Sequence, residues 1–166
     1  NFRLLEPAVL IDINGLHELT GIEQREGTLR IGALTRHHAL ETSSLVRSAV
    51  PIISEAMAHV AHLAIRNRGT FGGSLAHADP AAELPLLATL LDARVSLASE
   101  LGHRVLTMGD FLLDVLTTDL SADELLLSID VPVPPTETGW AFEEFSRRRG
   151  DFALVAVGAL VRRDEA

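Results

Sequence analysis

The sequence contains no cysteine, and this absence excludes two kinds of site. Without cysteine the chain forms no disulfide and ligates no iron–sulfur cluster. A cluster that works with this protein must therefore belong to a partner chain. The sequence also lacks a Gly-x-Ser-x-Gly turn and a Gly-Lys-Ser/Thr phosphate loop, which argues against a hydrolase and against a P-loop nucleotide-binding protein.

Positive charge and long apolar runs are scarce as well. The formal net charge is −9, which argues against nucleic acid as a partner because binding the phosphate backbone needs clustered basic residues. No apolar run approaches the roughly 18 residues of a membrane span, and the chain shows no secretory segment. We therefore expect a soluble, cytoplasmic protein. The arginines at positions 66, 68, 147–149, 162 and 163 cluster locally, which is typical of a solvated face, with an anion-binding or docking surface as the alternative.

The length and the periodicity predict one compact α+β domain. With 166 residues, 47% of them hydrophobic, the chain suffices for one such domain. The N-terminal third reads as a strand over residues 8–13 and a hairpin of 20–24 with 28–32. Thr35 and either Ser43 or Ser44 are predicted helix N-caps. One helix is expected from 45 to about 64, which Pro51 either kinks or restarts.

The second half of the chain predicts more strands than helices. Asp79 followed by proline predicts a helix N-cap, with a helix that Pro85 interrupts or restarts and that runs to about residue 91. A second hairpin is expected from 94–98 and 103–106, and a helical turn from 108–113. Strands are expected over 125–131, 140–146 and 152–161. Strands with helices packed against them indicate an α+β fold.

A run of glycines, hydroxyls and charges over residues 65–85 lies between apolar segments and predicts a binding loop. Glycine allows a ligand to approach the backbone closely. We predict that the amides of Gly72 and Gly73 form a nest for phosphate oxygens, to which Thr70 and Ser74 add hydroxyl groups. A tight turn between two helices is the alternative. Glu83 lies one residue too late for a capping box, which leaves it available to a ligand.

The complete run is more specific than its glycines. The pattern Arg-Asn-x-Gly-Thr-x-Gly-Gly-Ser-Leu-x-x-Ala-Asp-Pro-Ala-x-Glu-Leu-Pro, which begins at Arg66, resembles the second flavin-binding motif of the FAD-carrying medium subunit of molybdenum hydroxylases, the carbon monoxide dehydrogenase and xanthine dehydrogenase family. Residues 125–132 and 142–153 fit the same family in the same order. The resemblance implies a PCMH-type, vanillyl-alcohol-oxidase-like FAD-binding domain with a mixed sheet of four or five strands. Residues 1–33 would be the remainder of a small N-terminal α/β subdomain, and residues 34–166 the second FAD-binding subdomain.

The resemblance also implies a set of residues that bind FAD. They are Arg66, Gly69, Thr70, Gly72, Gly73, Ser74, Ala76, His77, Glu83, Leu126 and Asp151. Glu83 would accept a hydrogen bond from a ribityl hydroxyl, Leu126 would lie near the isoalloxazine ring, and His77 would donate to a phosphate or ribityl oxygen. The alternatives are an ordinary core leucine for Leu126, a hydrogen bond that orders the loop for His77, and a simple turn at Asp151.

No catalytic residue and no metal ligand is predicted on this chain. Histidines 37, 38, 59, 62 and 77 do not form a recognisable ligand set. The resemblance implies an oxidoreductase subunit that takes electrons from the 2Fe-2S clusters of a small subunit and passes them through FAD to an external acceptor. The substrate would react on a molybdenum–pterin large subunit, and the assembly would be a dimer of heterotrimers.

The sequence departs from this family at both ends. It has no Ala-Gly-Gly-x-Ser-type loop at its start and no C-terminal domain after Ala166, so we expect a fragment of the flavoprotein. Two competing hypotheses follow. One is a cofactor-free scaffold that docks the partner subunits, and the other is a flavoenzyme that acts alone.

Overall fold

The computed structural model describes residues 8–163, and residues 1–7 of the predicted N-terminal subdomain lie outside this range, as do 164–166. The helices are α1 (His37–Thr42), α2 (Ser44–Ala49), α3 (Pro51–Met57), α4 (Leu63–Arg66), α5 (Phe71–His77), α6 (Glu83–Leu90) and α7 (Met108–Phe111). The strands are β1 (Ile22–Arg25), β2 (Thr28–Gly32), β3 (Arg94–Ser99), β4 (Gly102–Thr107), β5 (Leu112–Asp114), β6 (Thr117–Thr118), β7 (Leu125–Pro132), β8 (Gly139–Ser146) and β9 (Ala153–Val161).

Five strands of the described range form one sheet in the order β1-β2-β7-β3-β4. Each neighbouring pair is antiparallel. Two hairpins, β1–β2 and β3–β4, flank β7 on its two sides, and a short turn can join only antiparallel neighbours. The predicted α+β class and number of strands are confirmed. The prediction of a mixed sheet is wrong, because all four pairs of neighbouring strands in this sheet are antiparallel.

The turn between β1 and β2 explains why this hairpin was visible in the sequence. Glu26 and Gly27 have φ values of 46° and 77°, and two successive residues in the left-handed region are the requirement of a two-residue hairpin turn that matches the strand twist. The predicted hairpins and the helical turn at α7 are confirmed.

The core lies between the sheet and the helices. Alternate residues of the strands point into it, as shown by Leu29 and Ile31 of β2 and by Val95 and Leu97 of β3, all fully buried. Helix α5 packs on β2 and β7, and α6 packs on α3 and α5. The core therefore packs against α5 and α6, the two helices on either side of the loop in the second half of the glycine-rich run.

The helix predicted for residues 45–64 restarts at Pro51, which was one of the two expected alternatives. Its continuation to residue 64 is wrong, because α3 ends at Met57 and α4 begins at Leu63. Val50 has φ −142° and Pro51 is the first residue of α3, as expected where proline excludes the preceding residue from helical geometry. Ala61 has φ 40°, which separates α3 from α4. The predicted N-cap at Ser43 is confirmed, since its side chain accepts a hydrogen bond from Val46 N at 3.3 Å.

Two predictions near the N-terminus are wrong. Residues 8–13 form no strand, and Val9 and Leu10 are 74% and 87% exposed, since no strand in the described range lies beside them to pair with. Thr35 does not cap α1, which begins at His37. Its hydroxyl instead exchanges hydrogen bonds with the backbone N and O of Gly21 at 3.1 and 3.0 Å.

The hairpin β8–β9 forms a separate two-stranded sheet that packs on α6 through Gly158. A Cβ at Gly158 would lie 2.7 Å from Leu90 Cδ2, so glycine permits this close approach. The strands predicted over 140–146 and 152–161 are confirmed. No helix in residues 8–163 has the length and apolar character needed to cross a bilayer. The predicted subdomain division between residues 33 and 34 stays a prediction.

Candidate functional site

The glycine-rich run begins as a helix rather than as an open loop. Thr70 is the N-cap of α5, and its Oγ1 accepts a hydrogen bond from Gly73 N at 3.1 Å. Gly72 N donates to the carbonyl oxygen of Ala33 at 2.8 Å. Capping satisfies the amides that the start of a helix otherwise leaves open. The predicted nest of free Gly72 and Gly73 amides is therefore wrong, because both amides are already bonded within the protein.

The two glycines have different structural roles. Gly72 is buried, and a Cβ there would lie 2.6 Å from Ala33 Cβ and 2.8 Å from its carbonyl oxygen. Gly72 thus lets the first turn of α5 pack directly on the end of β2. Gly73 is exposed, and a Cβ there would meet only the capping hydroxyl of Thr70, at 2.7 Å. Gly73 is therefore the member of the pair that faces a surface where a ligand could lie.

That surface is one side of a cleft of about 360 Å³. The cleft lies where α1, α5, the start of α6 and the β8–β9 turn meet. Five of the predicted site residues line it, namely Gly73, Ser74, His77, Glu83 and Asp151. Apolar side chains supply most of the remaining wall, namely Val60, Ile65, Leu84 and Phe152. The fold thus gathers these five residues, which span 78 positions from Gly73 to Asp151, around one cavity.

The other predicted site residues lie outside this lining. Arg66 forms an ion pair with Glu41 (Nε to Oε2, 2.9 Å) and donates to the carbonyl of Val60 at 2.8 Å, so it holds the chain segment that borders the cleft. Leu126 is 5% exposed and belongs to the core, which fits the alternative that it is an ordinary core leucine. The remaining ones are Gly69, which packs against His37, Thr70, which caps α5, Gly72, which packs on Ala33, and Ala76, which is half-buried on α5.

His37 is a cleft residue that the sequence analysis considered only as a metal ligand. Its Nε2 lies 2.9 Å from the carbonyl oxygen of Thr70, so Nε2 carries the hydrogen and Nδ1 is left as an acceptor. Nδ1 is buried and has no hydrogen-bond partner among the described residues. Burial lowers the pKa of His37. A Cβ at Gly69 would lie 2.8 Å from Nδ1, so glycine is required there by the ring.

The chain between α5 and α6 places Glu83 in the cleft. Ala78 ends α5 with φ 51°, and Asp79 Oδ1 accepts a hydrogen bond from Ala81 N at 2.9 Å. The predicted N-cap at Asp79 is wrong, because its carboxylate closes this short turn instead. Helix α6 begins at Glu83, with Ala82 as the N-cap.

Glu83 is a buried acid with an altered charge state. Its side chain is 7% exposed. Burial raises the pKa of Glu83 to about 7, and the neighbouring carboxyls of Glu144 and Asp79 add to this effect, while its own backbone N–H opposes it. A negative charge at a helix N-terminus is normally favourable, but here the loss of hydration is the larger effect. The pKa of this buried carboxyl thus lies close to neutral pH.

The opposite rim of the cleft is a tight turn between β8 and β9. Gly150 has φ 84°, and a Cβ there would lie 3.1 Å from the carbonyl oxygen of Ala61. Both features favour glycine. This contact presses the turn against the segment before α4, and it brings Asp151 and Phe152 to the cleft.

The cleft combines apolar walls with a few polar groups, as small-molecule sites do. Glu83 can accept a hydrogen bond in its ionised form and donate one in its protonated form. The hydroxyl of Ser74 and the ring of His77 can each do both. Such a site suits an amphipathic ligand that has several hydroxyl groups and a flat apolar part.

Residues 1–134 match the family described as FAD binding domain in molybdopterin dehydrogenase. The chain belongs to this family. The predicted family resemblance and FAD as the cofactor of the family are thereby confirmed. The FAD-binding domain match ends before β8, so Glu144, the Gly150 turn and Asp151 lie beyond the matched residues.

Individual relatives extend the similarity to nearly the entire chain. The 6-hydroxypseudooxynicotine dehydrogenase complex subunit alpha of Paenarthrobacter nicotinovorans is 46% identical over 99% of this chain and 56% of the relative. The crystal structure of quinoline 2-oxidoreductase from Pseudomonas putida 86 matches with a TM-score of 0.94 and 43% identity, over 98% of this chain and 56% of that chain. Carbon monoxide dehydrogenase from Hydrogenophaga pseudoflava, in a form that lacks the Mo-pyranopterin moiety of its cofactor, gives a TM-score of 0.95 and 36% identity, over 98% and 57%. This chain spans about half the length of these relatives.

The cleft of this FAD-binding domain fits part of the cofactor. Glu83, Ser74 and His77 supply hydrogen-bonding groups and the wall supplies an apolar surface, which is the chemistry that a hydroxyl-bearing chain and a flat ring require. The diphosphate has no open pair of amides at Gly72 and Gly73. The fit is therefore to the ribityl and ring portions.

Proposed function

We propose that this chain is the FAD-binding part of the flavoprotein subunit of a molybdenum hydroxylase. In this proposal it works in the cytoplasm as part of an oxidoreductase, where electrons from iron–sulfur clusters of a small partner subunit pass through FAD to an external acceptor. A large subunit with a molybdenum–pterin centre would oxidise the substrate. The absence of cysteine supports the assignment of the clusters to another chain.

The observation that carries the proposal is the position of Glu83. In this chain, which belongs to the FAD-binding family, Glu83 is a buried acid in the wall of an apolar cleft, beside Ser74 and His77. We assign to Glu83 the role of accepting a hydrogen bond from a ribityl hydroxyl. Ser74 and His77 would bind neighbouring oxygens, and Asp151 would lie at the opposite rim.

The protein's contribution is then binding, orientation and exclusion of water. Bound FAD supplies the ring that exchanges electrons. The wall of Val60, Ile65, Leu84 and Phe152 would keep water from that part of the cleft. Arg66 would act indirectly, because its bonds to Glu41 and to the carbonyl of Val60 hold the segment that forms this wall.

Titration of the purified chain with FAD tests the proposal. Binding quenches or shifts flavin fluorescence, and Glu83→Ala should weaken the affinity by about tenfold or more, the cost of one lost hydrogen bond to a charged group. Glu55→Ala is the matched control, since Glu55 is an exposed acid on α3, away from the cleft. Equal affinities for the wild type and Glu83→Ala would exclude the role assigned to Glu83.

A cofactor-free scaffold that docks the partner subunits is the second candidate. The bonded amides of Gly72 and Gly73 favour it, because they leave no ready cradle for a diphosphate. A scaffold would give no change in flavin fluorescence at any FAD concentration and would still assemble with the other subunits. Co-purification of those subunits with flavin-free protein would support it.

A further inference from the structure

The ring of His37 lies in the wall of the cleft but has no role in the proposed flavin site. His37 is 7% exposed and lines the cleft together with Ser74, His77 and Glu83. Its Nδ1 atom is buried and has no hydrogen-bond partner among the described residues. Since a buried atom offers no surface to a ligand, Nδ1 cannot bond to one, and the polar contact of the ring is made through Nε2.

The carbonyl oxygen of Thr70 links His37 to Ser74. This oxygen lies 2.9 Å from His37 Nε2 and accepts a second hydrogen bond from Ser74 N at 3.0 Å. A carbonyl oxygen has two lone pairs, so it can accept both hydrogen bonds. The bond from Ser74 belongs to the first turn of α5, because Thr70 is the N-cap of this helix. One oxygen atom therefore connects the ring to the backbone of a residue that lines the cleft.

The segment before α5 is held by backbone contacts and by the ring. His37 N donates to the carbonyl of Gly69 at 3.0 Å, and Phe71 N donates to the carbonyl of Thr35 at 3.0 Å. The imidazole packs against Gly69, where a Cβ would lie 2.8 Å from Nδ1. The ring therefore has little room to move away from the Thr70 carbonyl, and its bond to that carbonyl restrains the start of α5.

A change at the start of α5 reaches the polar side chains of the cleft. Ser74 bonds directly to the Thr70 carbonyl, and His77 follows three residues later, so the two side chains lie on the same face of the helix. Hydrogen bonds weaken steeply when the distance or the angle departs from its optimum. The direction of the Ser74 hydroxyl therefore matters to a ligand that it binds.

We propose that His37 is a positioning residue for FAD, which holds the Thr70 carbonyl through Nε2 and thereby sets Ser74 at the place where it meets an oxygen of the cofactor. The inference rests on the proposed function, in which Ser74 binds such an oxygen. His37 acts through the first turn of α5 and needs no hydrogen bond of its own to FAD.

The first test compares two substitutions of His37 by titration of the purified chain with FAD, followed by flavin fluorescence. His37→Gln keeps an N–H donor at the same number of bonds from the backbone as Nε2, and it should bind FAD as the wild type does. His37→Met places a methyl group there and should weaken the affinity about three- to tenfold, the cost of one hydrogen bond. His103→Met is the matched control, because His103 is an exposed histidine on β4, and its affinity should not change.

The second test separates positioning from a general loss of stability. Ser74→Ala should weaken FAD binding about three- to tenfold in the wild type, since it removes one hydrogen bond. In the His37→Met background the same substitution should cost clearly less, because a misplaced hydroxyl has less to lose. Losses that multiply in the double variant would overturn the inference, as would equal affinities of His37→Met and the wild type.

Gly69→Ala decides the matter if His37→Met does not fold. Its Cβ would displace the ring without removing it, so it should weaken FAD binding while Gly15→Ala, in open space, should not. Unchanged affinity of Gly69→Ala would overturn the inference. In each of these outcomes the wild type still binds FAD. Absence of FAD binding by the wild type would instead overturn the proposed function, and the role of His37 with it.

Discussion

Replacing Glu83 by glutamine should change the pH dependence of stability more than stability itself. In the folded protein burial raises the pKa of Glu83 from 4.5 to about 7. A raised pKa means that the folded state holds the proton more tightly than the unfolded state. The buried carboxyl therefore lowers the free energy of unfolding of the wild type least below about pH 4.5. This free energy falls as the pH rises towards 7, and the effect of Glu83 is constant above that pH. Glu83→Gln carries no charge at any pH and should not show this decline.

The size of the effect follows from the pKa difference. A difference of that size corresponds to about 3 kcal/mol of unfolding free energy at most, since each pKa step is about 1.4 kcal/mol. Relative to the wild type, Glu83→Gln should thus gain up to about 3 kcal/mol between pH 4.5 and pH 8. Urea unfolding at several pH values measures this directly, with Glu55→Gln as an exposed control.

Parallel curves of unfolding free energy against pH for the wild type and Glu83→Gln would refute this prediction. If Glu83→Gln and the wild type lose stability equally between these pH values, the Glu83 carboxyl is hydrated in the folded protein. The cleft would then not be the low-dielectric site that its apolar lining indicates.

Two further substitutions test the packing of the fold. Gly72→Ala should lower the free energy of unfolding by about 2 kcal/mol or more, because the new Cβ would lie 2.8 Å from the carbonyl oxygen of Ala33. Gly15→Ala, which adds a methyl group to open space, should not change the urea midpoint, and equal midpoints for the two variants would contradict the packing. Arg104→Met should lower the melting temperature near pH 7, where hydrogen bonds from Arg104 hold the pKa of Glu124 down at about 2. The loss of melting temperature should shrink as the pH falls through that pKa, because protonation of Glu124 removes the same contact from the wild type. A loss that stays constant as the pH falls would exclude the ion pair as its cause.

Local chemistry made much of the fold predictable. Glu26 and Gly27 supplied a turn, and the alternation around Leu29 and Ile31 supplied a half-buried strand. Ser43 supplied a helix cap. Each of these depends on residues within a few positions of one another, where sequence patterns are reliable.

Three of the predictions that failed concern polar groups with more than one available hydrogen-bond partner. Thr35 and Asp79 had the right side chains for N-caps, but each bonds elsewhere, to Gly21 and to Ala81. The amide of Gly72 could have faced a ligand, but the carbonyl of Ala33 lies within reach. Which hydrogen bond such a group forms depends on which partner the tertiary packing brings within reach.

For this protein, the sequence by itself determined the family, the α+β class and the acid that we assign to the flavin, because a long motif ending in Glu83 carries all three. The tertiary structure alone decided that His37 lines the cleft beside Glu83. His37 and Glu83 are 46 positions apart, and nothing in their local spacing relates them. They meet at the same site because His37 bonds to the carbonyl of Thr70 at the start of α5, and α5 packs on α6. Those contacts depend on the shape of the complete core.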